Sequence, residues 1–315
     1  MYRPWPIPPS GNIITTMNTQ SIALARPTAT QSAYAWGNGL LGVAIFSGSL
    51  PATKIAVMAF DPMFLTLARA AIAGLAGIGL LVILRPPRPA RSDLGPLIIV
   101  ALGVVLGFPL LTALALQFVT SAHAIVFIGL LPIATAVFGA IRAGERPRPL
   151  FWVFSLIGAA IVSGYAASGG TDGSLAGDLL MLAAVVVCGL GYAEGARLSR
   201  HLGGWQVISW ALLLSLPATL PAALMTQPDS WLGIGWPALT ALGYVSLFSM
   251  LIGFVFWYRG LALGGIAAVG QLQLLQPFLG FALAAVLLSE PVGWPLLVAA
   301  GAVVLCVAGA RRFAG

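Results

Sequence analysis

Charged side chains are scarce in this sequence. Lys, Arg, Asp and Glu together make up 7% of the 315 residues, whereas hydrophobic residues make up 59%. Soluble domains carry about 25% charged residues, so a chain this poor in charge cannot expose its surface to water. We therefore predict an integral membrane protein whose outer surface contacts lipid.

Residues that build metal sites and catalytic centres are also few. The two cysteines, Cys188 and Cys306, lie inside apolar runs and are interpreted as small buried hydrophobic residues. No Cys/His cluster has metal-ligand spacing, and no nucleophile–His–acid set stands out. The absence of a Gly-rich phosphate loop with Lys-Ser/Thr argues against an ATP-driven pump. We expect no catalytic residue, no metal and no cofactor, hence not an enzyme.

After residue 33 the chain contains ten apolar runs. Short segments with Pro, Gly, Asp and Arg separate them. A spanning helix needs about 20 apolar residues, so the runs predict an all-α protein with ten transmembrane helices. Residues 1–33, Pro-rich and then polar, are expected to form a flexible cytoplasmic tail. The runs are 34–56, 62–84, 95–117, 120–141, 150–168, 178–198, 206–225, 237–258, 266–288 and 293–310.

The basic residues indicate an orientation. If the N-terminus is cytoplasmic, thirteen of the fifteen Lys and Arg residues fall in cytoplasmic segments and none in outer loops. The other two, Lys54 and Arg69, lie within apolar runs. This positive-inside distribution predicts that both termini are cytoplasmic. It also accounts for the net charge of +7 without a nucleic-acid partner.

The chain contains an internal repeat. At an offset of 145 residues, Pro132 aligns with Pro277 and Glu145 with Glu290. Each segment is predicted to be a helix with a proline inside the span and a glutamate just past its end. The repeat divides the spans into two five-helix halves, 34–168 and 178–310. Because five is odd, the halves should be inverted relative to each other in the membrane.

Four motifs carry a resemblance to a known family. They are Leu50-Pro51-Ala52-Thr53-Lys54, Asp61-Pro62 with Arg69, Pro132 through Gly144-Glu145-Arg146, and Pro277 through Ser289-Glu290-Pro291. They resemble the drug/metabolite transporter superfamily, specifically its ten-helix EamA-type members. The resemblance implies helices around a central cavity that work by alternating access in the bacterial inner membrane. It also implies export or exchange of small metabolites, with amino-acid exporters the best-known bacterial branch.

Arg69 is the first candidate for contact with a substrate. It lies about seven residues into the second span, where an unpaired arginine costs at least about 2.5 kcal/mol. Its planar guanidinium suits a carboxylate, so Arg69 is predicted to bind a substrate or steady a gate. The alternative is a structural arginine bonded to backbone carbonyls or reaching the interface.

The ninth run contains a second candidate group, Gln271, Gln273 and Gln276, directly before Pro277. Polar side chains at this depth should face protein or a watery cavity. Pro277 leaves a carbonyl without its amide partner, and such interruptions often mark transport sites. Pro132 is the equivalent gating candidate in the first half. Hydrogen bonding between helices is the alternative for the glutamines.

The remaining candidates carry weaker signals. Tyr192 and Trp210 are predicted cavity walls, and Lys54 is a cavity contact or a residue that reaches the interface. His123 and Glu194 are coupling or gating candidates, although Glu194 is also placed for an i,i+3 pair with Arg197.

Near the ends of runs lie several aromatic residues that predict an interfacial belt. They are Trp36, Trp205, Trp236, Trp257 and Tyr258.

Together these observations predict a secondary transporter for a small polar metabolite, an amino acid being the first guess. Drugs, nucleosides and sugar phosphates are alternative substrates, although a phosphate would favour more basic residues than Arg69 and Lys54. A lipid-modifying membrane enzyme would need polar catalytic side chains clustered at one interface, and no such set is present. The expected partners are a small-molecule substrate and the lipid bilayer, and the expected assembly is a monomer or a homodimer.

Overall fold

The protein is helical throughout the part that the structure describes. The structure is a computed structural model and describes residues 29–119, 124, 127–167, 174–280, 283 and 294–314. Within these ranges no strand occurs. The successive helical segments are α1 (Ala29–Ser47 and Ser49–Val57), α2 (Pro62–Leu84), α3 (Arg91–Ala115), α4 (Leu131–Ala143), α5 (Pro149–Ala167), α6 (Leu175–Ser199), α7 (Gly204–Met225), α8 (Trp236–Gly264), α9 (Ile266–Gly270, Gln271–Leu275 and 276–280) and α10 (Trp294–Arg312).

Six of the described helices are long and apolar enough to cross a membrane: α1, α2, α3, α6, α7 and α8. Two shorter apolar helices lie in α4 and α5. Large apolar side chains such as Ile83, Ile141, Leu156 and Leu305 remain exposed, which lipid tolerates and water does not. The chain is therefore a multi-pass membrane protein, as its composition predicts.

The first helix begins earlier than its apolar run. The prediction of a flexible tail over 1–33 is wrong for its last residues, because α1 starts at Ala29; residues 1–28 lie outside the described residues. The polar first turn is held by neighbours on other helices. Arg311 donates to Ser32 Oγ at 3.0 Å, and the Arg259 guanidinium lies 4.9 Å from the centre of the Tyr34 ring.

Helix ends follow from local chemistry. Asp61 precedes α2 and accepts hydrogen bonds from the amides of Met63 and Phe64 at 2.8 and 3.2 Å. Pro62 then occupies the first helical position, where a missing amide costs nothing. Gly144 ends α4 in the left-handed region at φ 69°, a conformation that glycine adopts without steric cost.

The packing of the helices relates the two halves of the chain. In the described residues, α2 packs on α7, α4 on α9 and α5 on α10, each helix against its counterpart five positions later. Other contacts come in matching pairs: α1 packs on α8 as α6 packs on α3, and α4 packs on α6 as α9 packs on α1. Exchanging the first five segments for the last five therefore leaves this set of contacts unchanged.

The α1–α8 crossing is close enough to involve backbone. A Cβ atom added to Gly260 would lie 2.6 Å from the amide nitrogen of Gly39 and 3.0 Å from the carbonyl oxygen of Ala35. Small residues at such crossings let membrane helices approach within van der Waals range. This crossing fixes α1 of the first half against α8 of the second.

Both halves carry a widened turn in their third helix. α3 is π-helical over Ala101–Gly107, where the Phe108 amide donates to Gly103 O. α8 is π-helical over Tyr244–Ile252, where the Gly253 amide donates to Phe248 O. π-helical turns often occur at functional sites, and both of these border the central cavity.

Candidate functional site

A small cavity lies at the centre of the helices. Among the described residues it is lined from α1, α2, α3, α4, α6, α8 and α9, and its volume is about 70 Å³. Water occupies about 30 Å³ per molecule and ligand pockets span roughly 300 to 1,000 Å³. The helices must therefore separate before a metabolite fits. The polar lining side chains are Ser49, Thr53, Arg69, Thr112, Tyr192, Ser249 and Gln276.

Arg69 supplies a positive charge to this cavity. It is the eighth residue of α2 and is only 9% exposed. Its Nη2 donates to Ser249 Oγ at 3.3 Å, while its Nε–H meets no acceptor within the described residues. A neutral hydroxyl compensates a buried guanidinium poorly, since such charges are normally paired with an anion. The site is consequently attractive to an anionic group.

Ser249 connects three helices at one wall of the cavity. It lies in the π-helical turn of α8 and also accepts a hydrogen bond from Ser49 Oγ at 2.7 Å. Ser49 is presented by a break in α1 at Gly48. There the Tyr244 hydroxyl donates to Ile45 O at 2.6 Å, and a side chain on Gly48 would meet that hydroxyl at 2.4 Å. Tyr244 thus explains both the break and the glycine.

The three glutamines of α9 separate into two environments. Gln276 lines the cavity beside Pro277. Gln271 and Gln273 are 0% and 1% exposed, lie in a 3₁₀ turn over Gln271–Leu275, and do not line it. The amide groups of both side chains make no hydrogen bond of normal length within the described residues, although that of Gln273 faces the Tyr192 hydroxyl. Poorly paired buried amides are costly, so these side chains favour any arrangement of α9 that gives them a partner.

Pro132 lies at the second position of α4, directly after a turn at 129–130. The Leu130 amide bonds to Phe127 O at 2.9 Å, three residues back, as in a 3₁₀ turn. α4 and α9 therefore share a tight turn immediately before their prolines, close to the cavity. The two prolines are placed where the helical hydrogen-bond ladder is already interrupted.

An aromatic cluster forms one side of the cavity. Phe46, Phe254 and Tyr192 line it, with ring centroids 5.0 Å apart for Phe46–Phe254 and 5.9 Å for Tyr192–Phe254. Trp257 and Tyr258 pack behind them and are fully buried. The interfacial belt predicted for these last two is wrong: α8 continues to Gly264, so the end of the apolar run is not the end of the helix.

Trp210 lies outside the cavity lining. It is partly buried in α7 and packs against the main core. Its indole N–H meets no acceptor within the described residues. In this state of the protein Trp210 is not a cavity wall, unlike Tyr192.

Many arginines gather at one end of the helices, here called the arginine-rich end (Arg85, Arg142, Arg197, Arg200, Arg259 and Arg311). Glu194 of α6 is fully buried there. It accepts from Arg197 Nη2 at 2.9 Å, one turn away, as the i,i+3 spacing indicates, and from Arg142 Nε of α4. Two arginines thus hold the Glu194 carboxylate, which joins α4 to α6.

Glu145 makes a second connection at the same end, to α6 and α9. Its carboxylate accepts hydrogen bonds from the amides of Ile266 and Ala267, both at 2.8 Å, at the start of α9. It also accepts from Arg200 Nη2 at 3.0 Å. A carboxylate at a helix N-terminus satisfies amides that lack intrahelical acceptors and complements the helix dipole. The segment after α4 is thereby tied to α6 and α9.

The structure brings together only part of the predicted site. Arg69, Tyr192 and Gln276 line one cavity, Pro132 and Pro277 lie beside it, and Glu194 lies at the arginine-rich end. His123 and Glu290 lie outside the described residues, as does the Lys54 side chain. The lining residues that the sequence analysis missed include Phe46, Ser49, Thr53, Thr112, Ser249 and Phe254. Four of them carry a hydroxyl group inside an apolar run, and this pattern could have identified them from the sequence.

The chemistry of this arrangement is that of a binding site. One cation, hydroxyls, an amide and aromatic faces can hold a small anionic molecule. No group of three or more metal-ligating side chains occurs among the described residues.

Comparison with known proteins relates the chain to a family, to a bacterial relative and to a solved structure. The chain matches the EamA-like transporter family at residues 33–165 and again at 175–311. It is 68% identical over 279 residues to the protein named "Uncharacterized transporter YdeK" of Bacillus subtilis (strain 168), covering 89% of this chain and 97% of that protein. A crystal structure superposes with a TM-score of 0.74 at 22% identity, over 89% of this chain and 98% of that one; this likeness shows the fold alone.

Proposed function

Because the chain belongs to the EamA-like transporter family, we propose that this transporter carries a small metabolite bearing a carboxylate, with an amino acid as the first substrate class. It exports or exchanges this substrate across the bacterial cell membrane by alternating access. Its transmembrane part is two inverted repeats of five spans, with both termini in the cytoplasm.

One observation carries the substrate proposal: Arg69 is buried at the cavity wall with a single neutral hydrogen-bond partner within the described residues. A carboxylate that replaced Ser249 as acceptor would pair both N–H groups of the guanidinium fork. The apolar remainder of a substrate would contact Phe46 and Phe254. An ammonium group would find the aromatic faces and the hydroxyls of Ser49 and Thr112, since cations bind to aromatic faces.

Three features support the inverted arrangement. The family matches the chain twice, at 33–165 and 175–311. Most of the main helix contacts, such as α1–α8 and α6–α3, have a counterpart when the first five segments are exchanged for the last five. Each half has a π-helical turn in its third helix. The gathering of arginines at one end supports a cytoplasmic location for that end.

The ion pairs at the arginine-rich end support alternating access. Glu194 and Glu145 join α4, α6 and α9 there. We interpret the described state as closed on that side, with release of these contacts required to open it. Because a paired charge loses its partner on opening, the step is costly enough to be controlled by substrate binding.

Counterflow in proteoliposomes tests the proposed function. The purified protein is reconstituted and preloaded with one unlabelled solute from a panel of amino acids, apolar monocarboxylates, nucleosides, sugar phosphates and cationic drugs. Uptake of the labelled solute is then measured with and without a pH gradient. We expect carboxylate-bearing solutes, amino acids first, to be exchanged faster than in empty liposomes.

The alternatives have distinct outcomes in this assay. Exchange confined to nucleosides or drugs would overturn the carboxylate assignment but keep the transporter. Exchange of sugar phosphates would contradict the single cation in the described lining. Conversion of lipid without movement of any solute would favour the membrane-enzyme alternative instead.

A further inference from the structure

A groove separate from the central cavity lies at the arginine-rich end, between the start of α7 and the end of α8. Its volume is about 420 Å³, six times that of the cavity. We call it the α7–α8 groove, lined by Arg200, Trp205, Val255, Arg259 and Leu263 together with Ser199, Gly203, Gly204 and Ala262. None of these residues lines the central cavity, so the proposed transport function assigns no role to the groove.

One half of the groove is apolar and open to lipid. Val255 lies about two turns before the adjacent residues Ala262 and Leu263 on α8, and Leu263 is 51% exposed. Trp205 is partly exposed beside them, at the first turn of α7. An amphipathic indole at the end of a span belongs at the level of the lipid headgroups. This half therefore suits an acyl chain that runs down from the membrane surface.

The other half is basic. Arg259 is exposed, and its guanidinium carbon lies over the Tyr34 ring, 4.9 Å from the ring centre. A guanidinium held over a ring face keeps N–H groups that can donate to an anion. Arg200 contributes one N–H to Glu145 and has four others. α7 also begins in this groove: the Gln206 and Val207 amides donate to Gly203 O, and no side-chain cap satisfies those of Gly204 and Trp205.

We propose that the α7–α8 groove binds an anionic phospholipid of the leaflet at the arginine-rich end. The phosphate lies between Arg200 and Arg259, and an acyl chain follows Val255, Ala262 and Leu263. Basic pockets between membrane helices select anionic headgroups by charge, while the apolar wall retains the chain. Because Arg200 also holds Glu145, the bound lipid favours the closed arginine-rich end.

The test uses the full-length protein in a neutral detergent. Phosphatidylglycerol or phosphatidylcholine of equal chain length is titrated in, and the thermal unfolding midpoint is followed. We expect phosphatidylglycerol to raise the midpoint in a saturable way and phosphatidylcholine to leave it unchanged. Arg259→Gln should weaken the apparent affinity for phosphatidylglycerol roughly fivefold. Arg88→Gln, an equal loss of charge at an exposed position outside the groove, should leave it unchanged.

Two further variants distinguish loss of lipid binding from loss of stability. Arg259→Lys retains the charge and should retain most of the lipid effect even if Arg259→Gln is unstable. Tyr34→Leu removes the stacking partner only and should weaken binding less than Arg259→Gln. The proposal is overturned if both lipids act equally, if Arg88→Gln matches Arg259→Gln, or if soluble glycerol phosphate is as effective as the lipid.

Discussion

Arg69 and Ser249 are 180 positions apart in the chain and hydrogen-bonded to each other at 3.3 Å across the wall of the central cavity. Arg69 belongs to the second helix of the first half and Ser249 to the third helix of the second half. Ser249 is also the acceptor for Ser49 on α1. A substrate that replaces Ser249 as the partner of Arg69 would therefore loosen the contact between the two halves at the moment it binds.

Replacement of Arg69 should affect carboxylate-bearing substrates most. A hydrogen bond to a charged group contributes about 1.5–3 kcal/mol, so Arg69→Gln should lower their counterflow by roughly 10- to 100-fold. Arg69→Lys keeps the charge but loses the fork and should give an intermediate rate. The control, Arg88→Gln, should transport normally. Equal loss of transport for charged and uncharged solutes would mean that Arg69 has a structural role.

Ser249→Ala should show whether the hydrogen bonds that link the two halves matter for transport beyond their contribution to packing. The substitution removes the acceptor for both Arg69 and Ser49, and we expect a loss of about 1 kcal/mol in unfolding free energy together with altered counterflow. Ser246→Ala is the matched control on the same helix, because its buried hydroxyl bonds to Leu242 O within α8. Identical effects of the two variants on transport would contradict a special role for Ser249.

Glu145→Gln should loosen the start of α9. The change removes the charge that attracts the amides of Ile266 and Ala267 and the guanidinium of Arg200, so these amides should exchange with solvent faster. Hydrogen–deuterium exchange of a peptide spanning 264–270 measures this. Asp93→Asn is a suitable control, since Asp93 contacts Ala90 and His201 at the same end without touching α9. Unchanged exchange in Glu145→Gln would show that the cap does not hold α9.

Glu194→Gln should lower stability rather than alter coupling. The carboxylate is buried between Arg142 and Arg197, whose side chains are 41% and 39% exposed and can rehydrate. The expected loss is therefore about 1–3 kcal/mol, seen as a lower unfolding midpoint. The dependence of counterflow on a pH gradient should not change. A pH response abolished by this substitution would restore Glu194 as a coupling residue.

Gly260→Ala should disturb the crossing of α1 and α8. The added methyl group would lie 2.6 Å from the backbone of Gly39, which cannot rotate away as a side chain can, so we expect a loss of about 1–3 kcal/mol. Gly79→Ala is the control, because nothing lies within 4 Å of its Cβ position and alanine is the better helix former. Unfolding midpoints in detergent should therefore move in opposite directions for the two variants.

The membrane class and the approximate helix positions were predictable from the sequence because they depend on local composition. Arg69 and Gln276 could be found for the same reason: polar side chains inside apolar runs must face protein or a cavity. Gln271 and Gln273 met the same criterion, yet the 3₁₀ turn directs them away from the cavity lining. A period of 3.6 residues does not apply across such a turn.

The aromatic side of the cavity and the roles of the serines were not predictable in this way. Phe46, Phe254 and Trp257 are ordinary apolar residues until α1 packs on α8, a contact between residues about 200 positions apart. Ser249 acquires its function only because Arg69 and Ser49 reach it from two other helices. Such pairings depend on tertiary packing, which hydropathy does not encode.

The two π-helical turns have a consequence for the history of the chain. They begin at Ala101 and Tyr244, in the corresponding helix of each of the two segments that match one family. A π-helical turn bonds each amide to the fifth residue back, so it contains one residue more than an α-helical turn, as if a residue had been inserted. The simplest account places one such insertion in an ancestral half-length gene, before that gene was duplicated and fused. On that account each copy would have inherited the same widened turn, and the cavity would be bordered by two descendants of one insertion.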